Sequence, residues 1–84
     1  MTLTELIEQC YARGYAWQLS GGMSPNGIPF TTATIAVPES KPPIMAMRTR
    51  SGMPVESAVL ALEDALTEVT GRQAVRGYGK GKND

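Results

Sequence analysis

The feature that most limits what this chain can fold into lies near its end, where Val55, Ala58, Val59, Leu62, Ala65, Leu66 and Val69 follow helical spacing without a gap. The pattern predicts an amphipathic helix over residues 54 to 70, and such a helix is stable only when its apolar stripe is covered. Pro54 suits the first turn, and Gly71 is expected to end it. The opposite side carries Glu56, Glu63, Asp64 and Glu68, an acidic stripe of the kind that usually faces water. Leu60 interrupts that stripe nearly opposite Leu62 on the helical wheel, so it is either exposed or in contact with something outside the domain.

The cover has to come from the residues before this helix. Thr2 and Glu5 have capping-box spacing, and Leu3, Leu6, Ile7 and Cys10 share a face, which predicts a first helix over residues 2 to 13, stopped by Gly14. Tyr15 to Ser20 alternate with period two and place Tyr15, Trp17 and Leu19 on the core side of a strand. Residues Gly21 to Gly27 are dense in turn formers and are expected to form a mobile loop. From Phe30 to Val37 β-branched residues favour a second strand, with Ala33, Ile35 and Val37 facing the core. Three prolines make residues 38 to 43 a stiff, exposed connection. Ile44 to Thr49 reads as a third strand, with Met45 and Met47 on one face and Ile44, Ala46, Arg48 and Arg50 on the other, which is expected to see water.

The predicted fold class is therefore α+β with αβββα order: a three-stranded antiparallel sheet with two helices packed on one face. Residues 1–71 form the single domain, and residues 72–84 are expected to be a flexible, basic, glycine-rich tail. A hydrophobic content of 42% against 19% charged residues is that of a folded chain. No segment approaches the roughly 20 apolar residues of a membrane span, and the start lacks the basic-then-apolar pattern of a secretory signal, so a cytoplasmic location and no membrane partner are expected. So small a core leaves room for a homodimer to supply part of the burial.

Chemistry is limited by what the sequence lacks. There is no histidine, which removes the commonest general base and the usual partner of cysteine at zinc, and Cys10 is alone on an apolar stripe. Glu63 and Asp64 are adjacent on a helix and point in different directions, so acid–base catalysis has no basis. Gly22 to Gly27 has the glycine spacing of a phosphate-binding loop, but Ile28 and Pro29 stand where lysine and a hydroxyl residue belong. The glycines around Tyr78 lead into no further helix and are no dinucleotide fingerprint. No enzyme activity, metal or cofactor is expected.

Net charge is zero but unevenly spread: residues 1 to 70 carry four basic and seven acidic side chains, and residues 71 to 84 carry four basic and one acidic. Two binding modes follow. Phe30, Ile44, Arg48 and Arg50, read as sharing the uncovered sheet face, together with Leu60, are candidate contacts for a protein. Alternatively Lys41, Arg48, Arg50, Arg72, Arg76, Lys80 and Lys82, with Tyr78 stacking on a base, form a candidate nucleic-acid surface.

The predicted order of elements resembles the double-stranded RNA-binding domain over residues 3 to 70, with Phe30 opening the second strand after Pro25 and with Ala61, Ala65 and Leu66 as the alanine-rich stripe of the last helix. That resemblance implies the fold. The family's RNA grip would fall on the start of the last helix, which here reads Met53-Pro54-Val55-Glu56-Ser57-Ala58 with no lysine, and Asn26 stands nearest the place of the family's loop histidine. The stretch from Gly52 to Val59 also resembles the final helix of small phage and prophage proteins, which implies action by adhesion to a host protein or defence complex. The expected function is a non-enzymatic protein-binding module, a phage-type inhibitor or accessory factor acting by occlusion, with nucleic-acid binding as the alternative.

Overall fold

The computed structural model describes the backbone of residues 1–83 and the side chains of residues 1–74. It contains helix α1 (Leu3–Ala12), strands β1 (Ala16–Met23), β2 (Pro29–Val37) and β3 (Ile44–Ser51), and helix α2 (Pro54–Asn83). The expected αβββα order and α+β class hold, with an antiparallel sheet in the order β1-β2-β3.

Thr2 starts α1 through the capping box that its spacing predicts: its hydroxyl accepts from the Glu5 N–H at 3.1 Å, and the Glu5 carboxylate accepts from the Thr2 N–H at 2.8 Å. The latter bond holds the Glu5 carboxyl below the usual carboxylate range. Gly14, at φ +72°, turns the chain out of α1 in a left-handed conformation that a residue with a Cβ adopts only at a cost. The Tyr15 N–H then bonds the Cys10 carbonyl at 2.9 Å, and β1 begins.

The β1–β2 hairpin is longer than its turn residues suggest. Gly21, Gly22 and Met23 are strand, opposite Thr31, Phe30 and Pro29, and the connection is only Ser24 to Ile28. Pro25 occupies the second position of a turn closed by the Gly27 N–H on the Ser24 carbonyl, and the Ser24 N–H and Ile28 carbonyl close the ladder at 2.9 Å. Cross-strand bonding thus claims three residues that composition assigns to a mobile loop. The exposed connection from Pro38 to Pro43 contains a cis Lys41–Pro42 peptide.

α2 lies over β2 and β3, while α1 packs against α2 and the β1 end. The core between helices and sheet is built from Leu6 and Cys10, Tyr15, the predicted Ala33, Ile35 and Val37, then Ile44 and Ala46, and from α2 Ala61, Leu62, Ala65, Leu66 and Val69. Ala61 and Ala65 are fully buried, so α2 rests close on the sheet at two small side chains. Val55, predicted for the stripe, is exposed.

Helix α2 also continues through Gly71, where its stop is expected, and runs to Asn83. Two tertiary bonds hold the turn beyond that glycine, the Tyr15 hydroxyl to the Gln73 side chain and the Arg72 guanidinium to the Met45 carbonyl at 2.9 Å, and Arg72 also pairs within the helix with Glu68 at 3.2 Å. Such contacts outweigh the roughly 1 kcal/mol that a glycine costs inside a helix.

Candidate functional site

Both helices cover the same face of the sheet, so the other face is free of any described element. Its composition follows from register. On β2 the core-facing residues are Thr31, Ala33, Ile35 and Val37, and the open face takes Phe30, Thr32, Thr34 and Ala36. Their β1 neighbours are Gly22, Ser20, Gln18 and Ala16, and their β3 neighbours are Ser51, Thr49, Met47 and Met45. None of these positions is charged.

Met45 and Met47 are 56% and 60% exposed, the largest apolar contribution to this face. Thr32 and Thr49 stand opposite one another with hydroxyls 2.8 Å apart, a cross-strand bond that fixes the middle of the surface. Phe30 lies at one end with its ring over Gly22; a Cβ at that glycine would meet the ring at 2.7 Å. The glycine is what lets the aromatic ring lie flat on the sheet.

This assignment corrects the one made from sequence for β3. Val37 and Ile44 are cross-strand partners and must point the same way, so Ile44 and Ala46 go into the core at 3% and 2% exposure. Ile44 is therefore no surface contact. Arg48 and Arg50 share its side of the sheet and also do not face the open surface. Their long side chains run from this edge strand to the acidic stripe of α2, where Arg50 Nε lies 2.6 Å from Asp64 Oδ2 and Arg48 pairs with Glu68. Glu68 also takes Arg72 at 3.2 Å, one turn along the helix. The stripe expected to be solvated is in part the clasp between α2 and β3.

Of the residues singled out from sequence, Phe30 alone lies on the open face. Leu60 is 43% exposed, on the helix layer. Lys41 sits in the exposed proline-rich connection, and Arg72 lies against the β3 edge. The side chains of Arg76, Tyr78, Lys80 and Lys82 lie outside the described residues. Met45 and Met47 were missed, because their facing is set by the pairing of Val37 with Ile44 across a six-residue connection, which alternation along β3 does not specify.

Arg50 donates to Asp64 and by that bond, with smaller help from the charges of Arg50 and Arg48, holds the Asp64 carboxyl below its usual range against the opposing effect of burial. Burial pushes the Cys10 thiol up, the environment of a packed rather than a reactive cysteine. Among the described residues no group of three or more acidic, cysteine or histidine side chains is placed to hold a metal ion. An open groove of about 580 Å³ between α1 and α2, lined by Leu6, Gln9, Glu63, Leu66 and Thr67 among others, presents no pair of carboxylates free for acid–base work, since Asp64 is tied to Arg50. No described helix is long and apolar enough to cross a membrane. Compared with protein-family models, curated proteins and solved structures, the chain matches none.

Proposed function

We propose that this chain is a non-enzymatic protein-binding module that docks a protein surface against the open face of its sheet and acts by occlusion, in the manner of a phage-type inhibitor or accessory factor. The observation that carries this reading is the composition of that face: Met45, Met47 and Phe30 around a threonine lattice, with no charge and, among the described residues, no covering element. Methionine and aromatic groups among neutral hydroxyls suit a partner surface that is apolar at its centre and hydrogen-bonding at its rim. Charged ligands find little to hold there.

The nucleic-acid alternative loses support from the same geometry. A phosphate backbone would have to draw Arg48, Arg50 and Arg72 away from Glu68 and Asp64. That reading is left with Lys41 and the basic residues beyond 74. The likeness to the double-stranded RNA-binding domain extends in this proposal to the order of elements and not to its ligand, since the first turn of α2 offers Glu56 and no lysine.

The test is capture from a bacterial lysate, with and without nuclease treatment, by the tagged chain, beside Met45→Asp/Met47→Asp and Leu60→Asp variants. A stoichiometric protein held by the wild type and by Leu60→Asp, and lost with the methionine pair, supports the proposal. Retention by the methionine variant refutes the sheet face as the site, and recovery of nuclease-sensitive material alone favours the alternative.

A further inference from the structure

The two edges of the sheet are finished differently. The Gly52 N–H bonds the Pro29 carbonyl at 2.9 Å and sets the phase of the β2–β3 ladder, so Met45, Met47, Thr49 and Ser51 turn their backbone groups outward. Two of those outward carbonyls are capped, Met45 by the Arg72 guanidinium at 2.9 Å and Met47 by that of Arg48 at 3.1 Å. Long cations laid over an edge are a recognised means of blocking further strand pairing.

The same alternation, carried across β2, makes Ala16, Gln18, Ser20 and Gly22 the residues of β1 that bond β2. Trp17, Leu19, Gly21 and Met23 then turn their N–H and carbonyl groups outward, and no described group bonds them. No described side chain is laid over this edge as Arg72 and Arg48 are over the other. Ala16 to Met23 contains no charge and no proline, and its eight residues pair with β2 in unbroken register, without a bulge. The core is also thin there: Trp17 and Leu19 point toward the helix layer but are only half-buried.

We infer that β1 is a self-association edge, pairing antiparallel with β1 of a second copy about a two-fold axis at Ser20. That register engages all four outward residues of each copy, with Trp17 opposite Met23 of the second copy and Leu19 opposite its Gly21. A two-fold axis brings like against like, which a charged edge resists and this neutral one does not. The pairing closes the thin side of the core around Trp17 and Leu19, and it joins two uncharged open faces into one six-stranded surface. It rests on the edge alone and stands whether or not the open face binds a protein.

The test is independent of any partner: the molar mass of the full chain in solution as a function of concentration, by sedimentation equilibrium. A concentration-dependent dimer is expected. Ser20→Lys places two cations at the axis, and Gly21→Pro removes an outward N–H at a position where an added Cβ makes only ordinary contact, 3.6 Å from the Phe30 carbonyl. Each should weaken the dimer about tenfold or more with an unchanged circular dichroism spectrum. Thr49→Lys, on the opposite edge, should not. Ser20→Cys should cross-link to itself under mild oxidation, because Ser20 faces its own copy at a narrow, non-hydrogen-bonded position. A wild type that stays monomeric, or a dimer that survives both Ser20→Lys and Gly21→Pro, overturns the inference.

Discussion

Arg50 Nε lies 2.6 Å from Asp64 Oδ2, joining the sheet edge to the helix that covers it. With Arg48 on Glu68, and Glu68 also on Arg72, it turns three cations that could have met a phosphate backbone into internal clasps. The open face, by contrast, carries no charge at any of its strand positions.

This pair sets the first prediction. Asp64 should titrate below the ordinary aspartate value in a carboxyl-detected NMR titration, and Arg50→Gln should bring its midpoint back up. A depressed folded-state pKa contributes stability that is present above the unfolded value and lost as pH falls through the folded one. The loss therefore belongs below about pH 4, and it should be small because both side chains are partly exposed. An unchanged Asp64 midpoint in Arg50→Gln would contradict the contact.

Among the described residues Thr31 and Ser57 are the two buried polar side chains, and their hydroxyls are 2.9 Å apart. Ser57 also donates to the Pro54 carbonyl at 3.1 Å, which uses its only proton, so Thr31 donates to Ser57. Ser57→Ala leaves the Thr31 hydroxyl buried without an acceptor and should cost about 1–3 kcal/mol, more than Thr31→Val, in urea unfolding. The double variant should cost less than the sum of the two.

Close packing of α2 on the sheet gives a third expectation. Ala65→Leu has no space to enter and should destabilise by about 1–3 kcal/mol. Leu62→Ala, which empties a fully buried site, should cost about 2–5 kcal/mol. Denaturant midpoints check both, and a neutral Ala65→Leu would mean that helix and sheet are further apart than described.

The ring of Phe30 over Gly22 should shift the Gly22 α-protons upfield in a proton NMR spectrum of the wild type. Phe30→Leu should abolish that shift with the sheet intact. Gly22→Ala should push the ring aside without unfolding the chain, since the atom it meets is the far end of a side chain.

Local pattern made much of this fold legible. The Thr2–Glu5 box, the stripe of α2, the stop at Gly14 and the core face of β2 each depend on residues a few positions apart. The misreadings share a different cause. The face of β3 is decided by its pairing with β2 across the proline-rich connection, and alternation alone gives two answers of equal standing; the arginines then favoured the wrong one, because a long cation can lie on a core-side position and still reach an acidic helix. Gly21 to Met23 and Gly71 carry turn chemistry, yet cross-strand bonds in one case and the Tyr15 and Arg72 contacts in the other extend the regular element through them. The open face and Phe30 on it were expected, but the rest of its residues were not, and the substitution of Met45 and Met47 for Ile44, Arg48 and Arg50 changes its character from basic to neutral.

The measurement that bears most directly on the proposed docking face is an NMR titration of the labelled chain with the protein it captures. The account predicts shift changes concentrated on Gln18, Thr32, Thr34, Met45 and Met47, with Leu60 and the acidic stripe unaffected. Changes centred on Leu60 and Glu56 with the sheet face silent would contradict it.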